Sequence, residues 1–234
     1  MGLALLTGVG RQGQVGEAVA SRLAREGFEL ILVDRTFENV RERAAELTTQ
    51  GFAADAFACD LADPAAVADL MVRISASHGA SLAAVVHAAG GFSATGTVAD
   101  TDVAAWERQL TINLRTAFLV SRATIPLLRR NRGSLVFFSS ESALAGSKLS
   151  HIAAYAVAKY GVVALATAIA QEERAAGIRA NVVAPAAIRT AANVATMPPE
   201  SRFVERDDVA ATVAYLCSDA ARAITGQVLR LTAR

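Results

Sequence analysis

Tyr155 and Lys159 stand four residues apart in the run Tyr155-Ala156-Val157-Ala158-Lys159. On a helix this spacing puts a phenol and an ammonium on one face. A phenol titrates near ~10, so its use as an acid or base at neutral pH calls for a nearby cation. Lys159 supplies one. The same pair also arises by composition alone as a surface or core pair, so its chemistry depends on what the chain sets beside it.

A second constellation lies near the amino terminus. Thr7-Gly8-Val9-Gly10-Arg11-Gln12-Gly13-Gln14-Val15-Gly16 separates an aliphatic run from helix-forming Glu17-Ala18-Val19-Ala20. A glycine turn from strand to helix suits a pyrophosphate, because glycine lets the backbone approach closely and the helix start offers unpaired N–H groups. Gly8, Gly10 and Gly13 match the dinucleotide pattern, and Gly16 is alternatively the glycine that seats helix on strand. Asp34 closes the next aliphatic run, 18 residues beyond Gly16, where a carboxylate accepts hydrogen bonds from a ribose. That favours NAD; Arg35 and Arg11 are close enough in sequence to offset a 2′-phosphate, which keeps NADP open. Asp60-Leu61 and Ala88-Ala89-Gly90 follow two more such runs, at the strand ends where ligands of parallel sheets sit.

The elements that must position these groups are legible as alternating patterns. Strands are expected at Leu3 to Thr7, Glu29 to Val33, Ala54 to Ala58, Leu82 to Ala88, Ser134 to Ser139, Ile178 to Ala184 and Val228 to Leu231. Helices are expected over Val15 to Glu26 and Ala153 to Ala176, each stopped by a glycine, and Asp63-Pro64 reads as an N-cap with proline at the first helical position. Strands alternating with helices imply an α/β, doubly wound (Rossmann-type) seven-stranded parallel sheet with helices on both faces. The whole chain, 1–234, reads as a single domain, with one short mobile segment at about 189–206 containing Met197-Pro198-Pro199.

Composition narrows the partners. No apolar run reaches the ~20 residues of a membrane span, and the first residues lack a basic start, so a soluble cytoplasmic protein without membrane contact is expected. Formal net charge is +1 with no block of like charge, which speaks against nucleic acid and for a small-molecule partner. Cys59 and Cys217 read as reduced core thiols, and His78, His87 and His151 lack ligand-like spacing, so no metal is expected.

Taken in order, these residues resemble the short-chain dehydrogenase/reductase family over nearly the whole chain. The Thr7-Gly8 loop resembles its cofactor turn, Asp60 its adenine contact, and Ala88-Ala89-Gly90 the end of its fourth-strand motif. Asn113 resembles its helix asparagine, Ser140 its catalytic serine, and Tyr155 and Lys159 its remaining catalytic pair. Asn181, Pro185 and Thr190 resemble the segment beneath the nicotinamide, and Ile224-Thr225-Gly226-Gln227 the carboxyl-terminal signature. The resemblance implies a catalytic set of Asn113, Ser140, Tyr155 and Lys159. It implies a cofactor set of Gly8, Gly10, Arg11, Gly13, Val15, Gly16, Asp34, Arg35, Asp60, Leu61, Ala88, Ala89, Gly90, Tyr155, Lys159, Pro185, Ala186, Ile188 and Thr190, holding NAD by preference or NADP. Ser140 would hydrogen-bond a carbonyl oxygen, Tyr155 exchange its proton, Lys159 lower the phenol's pKa and bind the nicotinamide ribose, and Asn113 support Lys159 through water.

Departures from the family pattern are specific. The cofactor turn is two residues longer than usual, His87 stands where asparagine is common, and Ala186 replaces a glycine. Ser140 precedes Tyr155 by 15 residues, whereas Ser142 sits at the usual distance. The segment after Thr190 is short, which suggests an open pocket or a small lid. The expected activity is hydride transfer between a nicotinamide and a secondary alcohol or ketone. Two other readings are a 3-oxoacyl-thioester reductase, with Arg129, Arg130 and Arg132 as a docking surface or simply a solvated helix end, and a nucleotide-binding regulatory protein without turnover. Apolar helices around Leu110 to Leu128 and Tyr155 to Ala170 imply a homo-oligomer, and the resemblance implies a tetramer.

Overall fold

A computed structural model describes residues 2–233; the expectations at Met1 and Arg234 lie outside the described residues. Among the described residues seven strands form one sheet: β1 (Leu3–Thr7), β2 (Glu29–Asp34), β3 (Ala54–Ala58), β4 (Ala84–His87), β5 (Ser134–Phe138), β6 (Arg179–Pro185) and β7 (Val228–Leu231). Their order is β3-β2-β1-β4-β5-β6-β7, and every neighbouring pair is parallel. The central strands are buried on both faces, which is why they read as continuous apolar runs rather than alternating ones.

Eight α-helices among the described residues join them: α1 (Val15–Arg25), α2 (Phe37–Thr49), α3 (Pro64–His78), α4 (Val103–Leu110), α5 (Thr116–Leu128), α6 (Ala153–Glu172), α7 (Ala191–Thr196) and α8 (Arg206–Cys217). Leu6 and Leu32 face one core with Leu23 of α1, Val40 of α2 and Val213 of α8. Leu5 and Ile31 face the other with Leu70 of α3, Val120 of α5 and Val162 of α6. The chain winds outward from β1 to β3, then crosses to β4 on the other side of β1. The carboxyl ends of β1 and β4 therefore splay their connections apart and leave a crevice.

Some boundaries differ from the sequence reading. β2 extends to Asp34, which pairs with Ala58. β4 is shorter than expected, although Ala83 and Ala88 continue its bonding to Leu3 and Thr7. α6 ends at Glu172: the Glu173 N–H still donates to the Ile169 carbonyl, but Ala176 and Gly177 then donate to the carbonyls of Glu173 and Arg174 in tighter turns, and the chain leaves through Gly177 at φ +76°. Asp63 caps α3 as its sequence suggests, accepting from the Ala65 N–H at 2.8 Å.

α6, at 20 residues, is long and apolar enough to cross a membrane by length and composition. Its apolarity instead serves the core: the small residues Ala154, Ala158, Val162 and Ala166 are buried against the sheet and the helices beside it.

Candidate active site and cofactor crevice

Tyr155 and Lys159 lie on the face of α6 that meets the carboxyl end of β5. Ser139, at that end, donates from its hydroxyl to the Lys159 carbonyl at 3.0 Å, and Lys159 Nζ donates to the Phe138 carbonyl at 2.9 Å. Lys159 is buried, and desolvation pulls its ammonium from an ordinary 10.5 down to about 8. Its Nζ stands 5.8 Å from the centroid of the Tyr155 ring. Burial raises the Tyr155 phenol, and the nearby Ser140 hydroxyl works against that rise. Burial outweighs the help expected from Lys159, so the phenol holds its proton at neutral pH.

Ser140 follows β5 directly in an extended conformation, and its Oγ lies 2.8 Å from Ser142 Oγ at the start of a short 3-10 turn, Glu141–Ala143. Of the two serines considered from spacing, Ser140 is the one near enough to act on the Tyr155 phenol, and its hydroxyl pairs with that of Ser142. The sequence reading missed Phe92, whose ring sits edge-on to Tyr155 with centroids 5.1 Å apart while remaining 65% exposed. An aromatic directly after Gly90-Gly91 at a strand end was the available signal.

Asn113 interrupts the helix between α4 and α5 in a π-helical turn, Thr111–Arg115. Its Oδ1 accepts from the Gly91 N–H at 3.1 Å, and its Nδ2 donates to the carbonyls of Gly91 at 3.0 Å and Gln109 at 3.1 Å. A Cβ on Gly90 would fall 2.6 Å from Asn113 Oδ1 and 3.4 Å from Lys159 Nζ. Only a glycine fits between them, so the end of β4 and the catalytic-type residues share one cradle.

His87 is a buried strut, not a site residue. Its Nδ1 lies 2.9 Å from Thr7 Oγ1 and its Nε2 3.2 Å from Thr116 Oγ1. Thr116 donates to the Ile112 carbonyl, so it accepts from Nε2–H and leaves Nδ1 to accept from Thr7. Desolvation, helped by the charge of Lys159, lowers His87 to about 3 and keeps it neutral.

The glycine turn lies across the crevice. The Gly10 N–H donates to Asp34 Oδ2 at 2.9 Å, while Asp34 Oδ1 accepts from the Arg35 N–H at 2.8 Å. The Gly13 N–H donates to Glu17 Oε2 at 2.7 Å. A Cβ on Gly16 would sit 2.4 Å from the Gly8 carbonyl oxygen, which makes Gly16 the helix-seating glycine. Val15 begins α1, and its N-cap Gln14 makes no side-chain cap bond. Arg11 and Arg35 are exposed and join no ion pair among the described residues. Glu17, also missed, was signalled by its place in the first helical turn after the glycines.

Around the crevice, Ala88 and Ala89 lie against Gly8, and the Ala89 N–H donates to Thr7 Oγ1 at 3.4 Å. Leu61 is buried after β3, while Asp60 is exposed and turns the chain by accepting from the Ala62 N–H. Pro185 ends β6, Ala186 bonds back to Leu231, Ile188 bridges to Val204, and the buried Thr190 caps α7. Asn181 Nδ2 donates to the Ile224 carbonyl at 2.9 Å, and its Oδ1 accepts from the Gln227 N–H at 3.1 Å, tying β6 to the Thr225-Gly226-Gln227 approach to β7. Arg129, Arg130 and Arg132 precede β5, whereas Ser140 follows it, so these arginines lie at the opposite end of the strand from the site.

Known proteins resemble this chain in sequence and in fold. A family model described as enoyl-(acyl carrier protein) reductase matches residues 8–232. The chain is 32% identical to 2-(S)-hydroxypropyl-CoM dehydrogenase 3 of Xanthobacter autotrophicus, over 91% of this chain and 88% of that one. A short-chain type dehydrogenase/reductase from Mycobacterium ulcerans superposes with a TM-score of 0.88 at 30% identity, covering 98% of this chain and 88% of that one. An actinorhodin polyketide ketoreductase variant solved with NADPH superposes with a TM-score of 0.89 at 26% identity, covering 99% and 95%.

Proposed function

The chain belongs to the short-chain dehydrogenase/reductase family, and from that premise we propose that Tyr155 exchanges the proton of an NAD-preferring dehydrogenase or reductase acting on a secondary alcohol or ketone. An NAD(P)-dependent oxidoreductase acting on CH–OH or C=O groups fits the family and its named dehydrogenases. The observation that carries the finer reading is the meeting of Ser140, Tyr155 and Lys159 beside Gly90, across the crevice from the glycine turn.

The residues along the crevice suit a nicotinamide dinucleotide by their chemistry. Added Cβ atoms at Gly8 and Gly90 would meet backbone or site side chains within 2.6 Å, and the uncapped start of α1 offers N–H groups to an anion. Gly8, Gly10, Gly13 and the α1 start would hold the pyrophosphate. Asp34 with Asp60 and Leu61 would hold the adenosine, and Lys159, Ala88 to Gly90 and Pro185 to Thr190 the nicotinamide end. When bound, the dinucleotide supplies or accepts the hydride.

Ser140 donates a hydrogen bond to the substrate oxygen as negative charge develops there. The protonated Tyr155 delivers its proton to that oxygen, or takes it back in the oxidative direction. Lys159 keeps a positive charge beside the phenol up to about pH 8, and Asn113 fixes the Gly90-Gly91 wall. Asp34 already presents a carboxylate at the turn, and a 2′-phosphate would meet its charge; this supports NAD over NADP.

Similarity to a polyketide ketoreductase supports a second reading, reduction of a 3-oxoacyl thioester at the same site. Turnover of a 3-oxoacyl thioester in preference to simple ketones would select it. We also propose that segment 189–206 acts as a small lid on a single-domain enzyme. Exposed Phe118, Val157 and Tyr160 on α5 and α6 support a homotetramer, and the free buried thiols of Cys59 and Cys217 support a cytoplasmic location. Titration with NADH and NADPH, followed by nicotinamide fluorescence and repeated on Asp34→Ala, tests the cofactor assignment. Tighter NADH binding that the variant loses is expected; equal or tighter NADPH binding would overturn the NAD preference.

A further inference from the structure

The Glu17 carboxylate gathers three segments that are distant in sequence. Its Oε2 accepts from the Gly13 N–H at 2.7 Å and from Arg206 Nη1 at 3.1 Å, while its Oε1 accepts from Arg43 Nη1 at 3.4 Å. Arg206 opens α8 and so marks the far end of segment 189–206. At the near end, the Ala191 N–H donates to the Gly13 carbonyl at 3.0 Å. Gly13 is thus joined to both ends of that segment, through its N–H by way of Glu17 and through its carbonyl directly. A Cβ on Gly13 would lie 2.9 Å from Ala191 Cβ, and the residue has φ +72°, so the junction requires a glycine. Between them, Ile188 and Val204 form a parallel bridge and Arg189 pairs with Glu205 at 2.7 Å, closing the base of the segment.

We propose that Glu17 is a positioning residue that fastens the glycine turn to segment 189–206, so that the pyrophosphate-binding turn and the segment at the nicotinamide end are held as one unit. The inference rests on the reading above, in which the turn receives a nicotinamide dinucleotide. By linkage, a ligand that favours the fastened turn also favours the fastened segment, and the reverse. The added length of this turn, which carries Gly13 to Ala191, gives the coupling its path. Removing Glu17 also takes from Arg43 Nη1 its partner, while Arg43 Nη2 keeps Glu46 at 2.9 Å; Arg206→Gln, which leaves Arg43 paired with Glu17, isolates the link to segment 189–206.

The test compares the wild-type protein with Glu17→Ala, Glu17→Gln, Arg206→Gln and the double variant E17Q/R206Q. NADH is titrated by nicotinamide fluorescence, adenosine is titrated by competition, and trypsin cleavage at exposed Arg189 and Arg202 is followed with and without saturating NADH. Expected are NADH binding weakened about 10-fold in Glu17→Ala with adenosine unaffected, and a double variant no weaker than the worse single one. NADH slows trypsin cleavage of the segment in the wild type and no longer does so in Glu17→Ala. If Glu17→Ala binds NADH as the wild type does and keeps that protection, the coupling is overturned while the cofactor reading stands. If the wild type binds neither NADH nor NADPH, the cofactor reading falls and takes the coupling with it.

Discussion

His87 holds no proton beyond its neutral tautomer, and that has a consequence for acid stability. Its pKa is lowered to about 3 in the folded chain against an ordinary 6.5, so between those values the unfolded chain binds the extra proton. Stability therefore falls as pH drops through that window, by roughly 1.4 kcal/mol per unit at its steepest. His87→Gln keeps one donor and one acceptor and should flatten the acid limb of a thermal-midpoint profile; an unchanged limb would remove His87 as its cause. Phe92 acts on the reacting group from outside. Truncation by Phe92→Ala removes an edge-on ring contact with Tyr155, an interaction worth about 0.5–1.5 kcal/mol, and should lower kcat about 3- to 10-fold with NADH affinity unchanged. Steady-state kinetics beside a binding titration separates the two effects. That Tyr155 and Lys159 share a helix face was legible from their spacing, while a catalytic role for them was expected only from the resemblance of the whole residue set to the family. Phe92 and Glu17 were not singled out, because their roles arise from contacts with Tyr155 and Arg206, far along the chain.

At the scale of elements, strand cores and glycine stops were readable, since each follows from local apolar runs. The interruption of the helix at Asn113 was not. Thr111-Ile112-Asn113-Leu114 is compatible with ordinary helix, and the π-turn is matched to bonds from Asn113 to Gly91, 22 residues away. The end of α6 was placed four residues late, because the turns that follow Glu172 run on to the Gly177 stop that the sequence shows. One close approach between elements lies at α1 and the first turn. Gly16→Val would drive its side chain into the Gly8 carbonyl, where a Cβ alone reaches 2.4 Å. The variant should lose roughly 1–3 kcal/mol of stability and most of its NADH affinity, measured by chemical denaturation and fluorescence titration. Retention of wild-type affinity would show that the seating of α1 does not shape the crevice.

Across the whole molecule, the strand order brings the glycine turn after β1, the glycines after β4 and the serines after β5 to one edge of the sheet, and a single substitution acts there through its neighbours. The apolar exposure of Val157 and Tyr160 lies on the outer side of the helix that carries Tyr155 and Lys159. Replacing both, Val157→Asp with Tyr160→Asp, should shift the particle mass in sedimentation from oligomer to smaller species; an unchanged mass would exclude this face from the assembly. The fold class followed from alternation of strand and helix, while assembly and substrate depend on surface shape that alternation does not specify. The central claim is proton exchange by Tyr155 at a nicotinamide site. The most direct measurement is the turnover and NADH affinity of Tyr155→Phe beside the wild type, on a ketone that the wild type reduces. A fall in kcat of about 10²- to 10⁴-fold at unchanged NADH affinity is predicted; near wild-type turnover by the variant would contradict the account.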